Sequence, residues 1–123
     1  MNIFQKEVIT LDHLPLAADV TVVVGSCLKM GDGGLVLCGA ADKPEYISNT
    51  NATGDGSVIP VDKVTPETVL VGKLAADCAG ITVGGKLQLA ANSVDISATE
   101  GGCLEVHSFE GTTAGSKVLV VAK

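Results

Sequence analysis

The sequence predicts a single small all-β domain, and three observations carry the prediction. Val20 to Cys38 reads as two alternating runs around Asp32-Gly33, a dipeptide that tolerates the positive φ of a two-residue hairpin turn. Fifteen glycines punctuate the 123 residues, so strands must be short and turns frequent. Apolar residues make up 46% of the chain and aromatics only 2%, which leaves Val, Leu, Ile and Ala to build the core. The expected architecture is a small antiparallel β-barrel or β-sandwich with an extended N-terminal arm. A chain of this length needs neither metal nor disulfide to bury a core.

The arm comes first. In residues 1–18, Ile3, Phe4, Val8, Ile9, Leu11, Leu14 and Leu16 are apolar without a sustained period, and Pro15 stops any helix or central strand. Two readings stand side by side: an edge strand of the same domain, or a segment that lies on a partner. Residues 19–123 form the β-domain. In its opening hairpin Met30 should face Leu35 and Leu28 should face Leu37, sharing one apolar face with Val20, Val22 and Val24, while Cys27, Lys29, Val36 and Cys38 take the other.

Residues 40–56 are rich in turn formers around a short strand at Tyr46-Ile47. Ser57 to Val61 contains Pro60 and reads as an edge strand, because proline cannot donate to a ladder. Val69 to Leu74 is the next strand, and residues 75–79 form one helical turn or a loop. Ile81 to Leu89 alternates but is interrupted at Gly84-Gly85, as one strand with a bulge or as two strands. A short strand at Val94 to Ser97 follows, and Cys103 to Phe109 and Lys117 to Ala122 close the domain as a hairpin.

Charge and motifs exclude several functions. Fourteen acidic residues against eight lysines, with no arginine, give a net charge of −6, and the lysines are spread singly along the chain, which speaks against nucleic-acid binding. No apolar run approaches the ~18 residues of a membrane helix, and the first residues lack the basic-then-apolar order of a signal peptide. The chain is expected in a cytoplasm; Cys27 and Cys38 face each other across the hairpin within disulfide range, and in a reducing compartment Cys27, Cys38, Cys78 and Cys103 stay reduced, small apolar groups.

Cys103, Glu105 and His107 share one strand face, but positions four apart are separated by ~13 Å, too far for Cys103 and His107 to hold one metal ion. The other histidine, His13, lies in the arm. Asp32-Gly and Asp55-Gly are turns without the remaining ligands of a calcium loop. No catalytic residue, metal site or cofactor is expected. Lys29 sits between Leu28 and Met30 as the attachment lysine of biotin or lipoyl carriers does, yet it lies down the strand from the hairpin tip.

In the second half, Thr68-Val-Leu-Val-Gly-Lys-Leu, Ala79-Gly-Ile-Thr-Val-Gly-Gly-Lys-Leu-Gln-Leu, Gly101-Gly-Cys-Leu-Glu-Val-His and Gly115-Ser-Lys-Val-Leu-Val-Val-Ala follow one another. This rhythm, with the Val20 to Cys38 hairpin before it, resembles the capsid cement, or head decoration, proteins of tailed bacteriophages. The resemblance implies a β-tulip-like domain, a homotrimer, and a mechanical role: binding the exterior of a mature capsid and bridging its major capsid protein subunits, after synthesis in the bacterial cytoplasm. It implies neither catalysis nor direct contact with nucleic acid or membrane. Ile3, Phe4, Val8, Ile9 and Leu11 are the expected contacts to capsid or neighbouring protomer, through strand addition. The alternative is a non-catalytic β-sandwich that binds a ligand or carbohydrate, for which Tyr46 offers one stacking ring.

Overall fold

The computed structural model describes residues 1–5 and 11–123, which hold thirteen strands and no helix. In chain order these are β1 (Asn2–Gln5), β2 (Leu11–Pro15), β3 (Thr21–Val22), β4 (Cys27–Gly31), β5 (Gly34–Leu37), β6 (Tyr46–Ser48), β7 (Ala52–Thr53), β8 (Val58–Lys63), β9 (Val69–Lys73), β10 (Lys86–Leu89), β11 (Ile96–Glu100), β12 (Leu104–Phe109) and β13 (Lys117–Ala122). A six-stranded sheet runs β1-β9-β13-β12-β10-β11, a five-stranded sheet β2-β8-β6-β4-β5, and β3 pairs with β7. The strand ladders are antiparallel, and the arrangement is that of a β-sandwich.

The opening hairpin forms in the expected register: Leu28 faces Leu37, Met30 faces Leu35, and Gly31 faces Gly34. Gly33 (φ +80°) and Gly34 (φ +134°) make the turn in a region closed to most side chains. Gly34 is constrained a second way, since a Cβ there would lie 2.7 Å from the Pro15 carbonyl oxygen.

The hairpin does not have a single apolar face. Cys27, Cys38 and Ile47 pack inward against Leu70, Leu87, Leu89, Ile96, Leu104, Val106, Val118 and Val120 of the six-stranded sheet, forming the main core. Leu28, Leu35, Ile59 and Val61 point the other way into a second core with Leu16 and Val22. Val24 does not join them: a turn through Gly25 (φ +94°) separates β3 from β4 and leaves Val24 exposed. The five-stranded sheet thus contributes to a core on each face, while Met30 and Leu37, towards the hairpin's outer edge, stay exposed.

Pro60 is not on an edge. β8 lies between β2 and β6, with His13 opposite Pro60 on one side. On the other, Pro60 O accepts from Asn49 N–H at 3.1 Å, just past Ser48 at the end of β6. N and O of one residue point to the same side of a strand, so the missing donor falls where the ladder stops.

Residues 75–79 are loop, and of Ile81 to Leu89 only Lys86–Leu89 is strand, the Gly84-Gly85 region being a turn. The strand expected at Val94 to Ser97 begins two residues later. The closing hairpin is present, with a bulge at His107 that places Val106 opposite Val120 and Ser108 opposite Leu119.

Of the two readings of residues 1–18, the described parts follow the edge strand. β1 pairs with β9, β2 pairs with β8, and Leu16 bridges in parallel to Leu35, so that the two margins of the five-stranded sheet meet at one point. Met1 lies in the main core, and its amine donates to the carbonyl oxygens of Gly25 and Val94. Removing the first sixteen residues would therefore take away one strand of each of the two large sheets and the buried side chains of Met1 and Leu16, rather than a detachable arm.

Candidate docking face

The residues that suggested chemistry are dispersed. Cys103 donates its thiol to Ala41 O at 3.3 Å, Glu105 lies 3.6 Å from Lys123 Nζ, and His107 projects to solvent from the bulge. His13 is on the five-stranded sheet and His107 on the six-stranded one. Among the described residues no three of His, Cys, Asp and Glu gather closely enough to share a metal ion. Lys29, the carrier-like lysine, is held by Asp42 at 2.7 Å, and the same carboxylate oxygen accepts from Gly39 N–H at 2.7 Å. Their mutual hydrogen bond raises the Lys29 pKa and lowers that of Asp42.

Cys27 and Cys38 lie opposite each other, Cys38 N–H donating to Cys27 O at 3.0 Å, and both thiols are free. Burial pushes their pKa up to about 11 and about 12, so they are packing groups rather than nucleophiles.

The expected contact residues take different positions. Ile3 pairs with Leu70 and packs against the main core; Phe4, 52% exposed, is the exposed aromatic of β1. Leu11 pairs through its backbone with Asp62 in the five-stranded sheet. Val8 and Ile9 lie outside the described residues.

What the fold does assemble is a face. The inner side chains of the six-stranded sheet are in the core, but nothing among the described residues forms a layer over its outer side. Register builds that side in rows. Asn2 stands beside Val71, Leu119 and Ser108; Val69 stands beside Val121, Glu105 and Lys86; Lys73 stands beside Lys117. Val71, Leu119 and Val121 are half-buried, and with Phe4 they form an apolar stripe between lysines. Lys117 Nζ lies 5.8 Å from the centre of the Phe4 ring, within cation–π reach.

The charges on this face run against the whole chain. Four of the eight lysines, Lys73, Lys86, Lys117 and Lys123, meet here with two glutamates, Glu105 and Glu110, although the chain carries −6. Spread singly in sequence, these lysines are gathered by non-local strand pairing. The available signal was alternation: in Val69 to Lys73 and in Lys117 to Ala122, Leu70, Val118 and Val120 alternate with residues that had to face outward.

No family model matches the chain, and neither a curated protein nor a solved structure does.

Proposed function

We propose that this chain is a structural virion protein that binds the outer surface of a mature phage capsid as a homotrimer and bridges major capsid protein subunits. The observation that carries the proposal is the uncovered side of the six-stranded sheet, an apolar stripe of Phe4, Val71, Leu119 and Val121 set among lysines on an acidic protein. A contiguous apolar surface rimmed by polar residues is the ordinary form of a protein contact. The succession of short valine-rich strands and glycine turns that resembles capsid cement proteins supplies the kind of partner. A ligand that binds only the assembled shell stabilises it by mass action, and attachment at many lattice points multiplies the effect.

Mixing the purified protein with undecorated expanded shells tests this reading. Co-sedimentation and a raised shell melting temperature are expected; shells that sediment without the protein and melt unchanged would overturn it. A Phe4→Ala and Leu119→Asp double variant should keep its fold and lose attachment, because both side chains lie on the open face.

A further inference from the structure

We infer that the cavity at the Met1 end of β1 receives an acidic side chain carried on an aliphatic, extended segment of the capsid partner. The inference rests on the proposed function for the partner's identity, and on the following geometry for its chemistry.

Lys73 and Lys117 are direct register partners on β9 and β13, so their side chains stand on one face. Directly opposed side chains have Cβ atoms roughly 5 Å apart, and like charges in that position destabilise a sheet. Compensation is slight: Glu110 Oε1 lies 4.0 Å from Lys117 Nζ, and among the described residues Lys73 has no carboxylate within ion-pair distance. On the side of β9 away from β13, Asn2 of β1 stands opposite Val71.

The place beyond is hollow. A cavity of about 350 Å³ opens there, walled by Val24, Val71 and Val94 and bordered by Lys73, Lys117 and Asp95. Asp95 is the cavity's carboxylate, and it accepts from Asn92 Nδ2 at 2.8 Å. Met1 is at the same wall, its amine already engaged by the Gly25 and Val94 carbonyls. Two directly opposed lysines, with only Glu110 at 4.0 Å from one of them, call for an anion, while three valines favour aliphatic neighbours on either side of it. An Asp or Glu within an extended, valine- or leucine-bearing peptide meets both demands, whereas a free inorganic anion meets only the first.

The probes are acetyl-Ser-Val-Glu-Val-Ser-amide, the same peptide with Gln for Glu, inorganic sulfate and a single-stranded DNA oligomer, each titrated while the amide resonances of Gly72 to Leu74 are followed. The Glu peptide should bind about tenfold or more tightly than the Gln peptide. That preference should vanish in K73Q/K117Q, whose thermal unfolding verifies its fold, and persist in K73R/K117R. Equal affinity for the two peptides, no binding at millimolar peptide, or a preference that survives K73Q/K117Q would each overturn the inference. So would tighter binding of sulfate, which would mark a small-anion site, or of DNA, which would mark a nucleic-acid site.

Shell binding separates this inference from the reading it rests on. If K73Q/K117Q attaches to shells as well as the unaltered protein, the cavity is not the docking point and the capsid role stands. If the unaltered protein ignores shells yet discriminates the peptides, the capsid role falls and the acidic-aliphatic specificity belongs to another partner.

Discussion

The two large sheets are built from the same short, valine-rich strands but are used differently. The five-stranded sheet packs into two cores, with Cys27, Cys38 and Ile47 in the main core and Leu28, Leu35, Ile59 and Val61 in the second, on its other side. The six-stranded sheet has one enclosed side and one open side, where Val71, Leu119 and Val121 alternate with core residues and stand beside Lys73, Lys86 and Lys117. Where a sheet faces a core on each side, its inward side chains answer to packing, and a register slip would disturb two cores at once. On the open side, packing leaves the choice of side chain free, so an apolar stripe among lysines there points to a contact made outside the chain.

The sharpest break in this comparison is a pair of identical substitutions. Leu28 is fully buried in the second core, and Leu28→Ala should cost about 2–5 kcal/mol of unfolding free energy, from lost transfer energy and the cavity left behind. Leu119→Ala on the open side should cost about 1 kcal/mol or less, because its side chain is already half in water. Urea unfolding of both variants measures the difference. Equal losses would mean that the outer side is covered in solution, for instance by a second copy of the chain.

A second contrast lies between the buried end of β1 and its exposed Phe4. The Met1 amine donates to two backbone carbonyls and sits beside the core, so a two-residue Gly-Ser extension at the N-terminus would remove the charged donor from both acceptors. The expected loss is about 1–3 kcal/mol, against a few tenths for Phe4→Ser on the open side. The amine also sets a pH dependence. Burial lowers its pKa below 8.0, so over the range just under that value the unfolded chain binds more protons than the folded one. Stability should therefore rise as pH approaches 8 from below, and chemical denaturation across that range should show the slope vanish in the extended chain.

How far these features could be read in the sequence depended on the range of the interactions that make them. The Leu28–Leu37 and Met30–Leu35 pairs follow from Asp32-Gly33 alone, and the closing hairpin from its own loop, because in each the two strands are consecutive and joined by one local turn. The second buried side of the five-stranded sheet was hidden, since the residues that give it away are the thiols Cys27 and Cys38 rather than a run of large aliphatics. Pro60 misled for a related reason: its missing N–H argues for an edge, and only the end of β6 at Ser48 makes a central position tolerable. The lysine cluster was half legible: alternation turns Lys73 and Lys117 outward, but they are neighbours only through the pairing of β9 with β13.

The thiols of the five-stranded sheet sharpen the comparison at alkaline pH. Burial raises Cys27 to about 11 and Cys38 to about 12 from an ordinary value of 9.0, so above pH 9 the folded chain holds protons that the unfolded chain releases. Stability should be insensitive to these groups below pH 9 and fall above it, by at most about 1.4 kcal/mol per pH unit for each thiol. Denaturation at pH 8, 9 and 10 checks this, in roughly equal steps on either side of the unfolded pKa. In a Cys27→Ala and Cys38→Ala background the alkaline slope should shrink although the protein starts less stable; an undiminished slope would show that these thiols do not set it.

The smallest expected effects divide the open side itself and differ in sign. Near the N-terminus of β13, Lys73 faces Lys117, while at the far end Lys86 faces Glu105, which also lies 3.6 Å from Lys123 Nζ. Lys73→Glu should replace a like-charge pair by an opposite-charge pair and stabilise the protein by about 0.2–1 kcal/mol. Lys86→Glu should do the reverse and destabilise it by a similar amount. Both side chains are exposed, so the two shifts should fade together when salt is raised, as screening requires. Urea midpoints at low and high ionic strength give the signs. A residue whose replacement improves the fold yet weakens binding is retained for its partner, and that combination in Lys73→Glu would distinguish a docking lysine from one that merely keeps the surface hydrated. Destabilisation by Lys73→Glu would instead show that Lys73 has an anionic neighbour in the free protein, and the unbalanced end of the face would disappear.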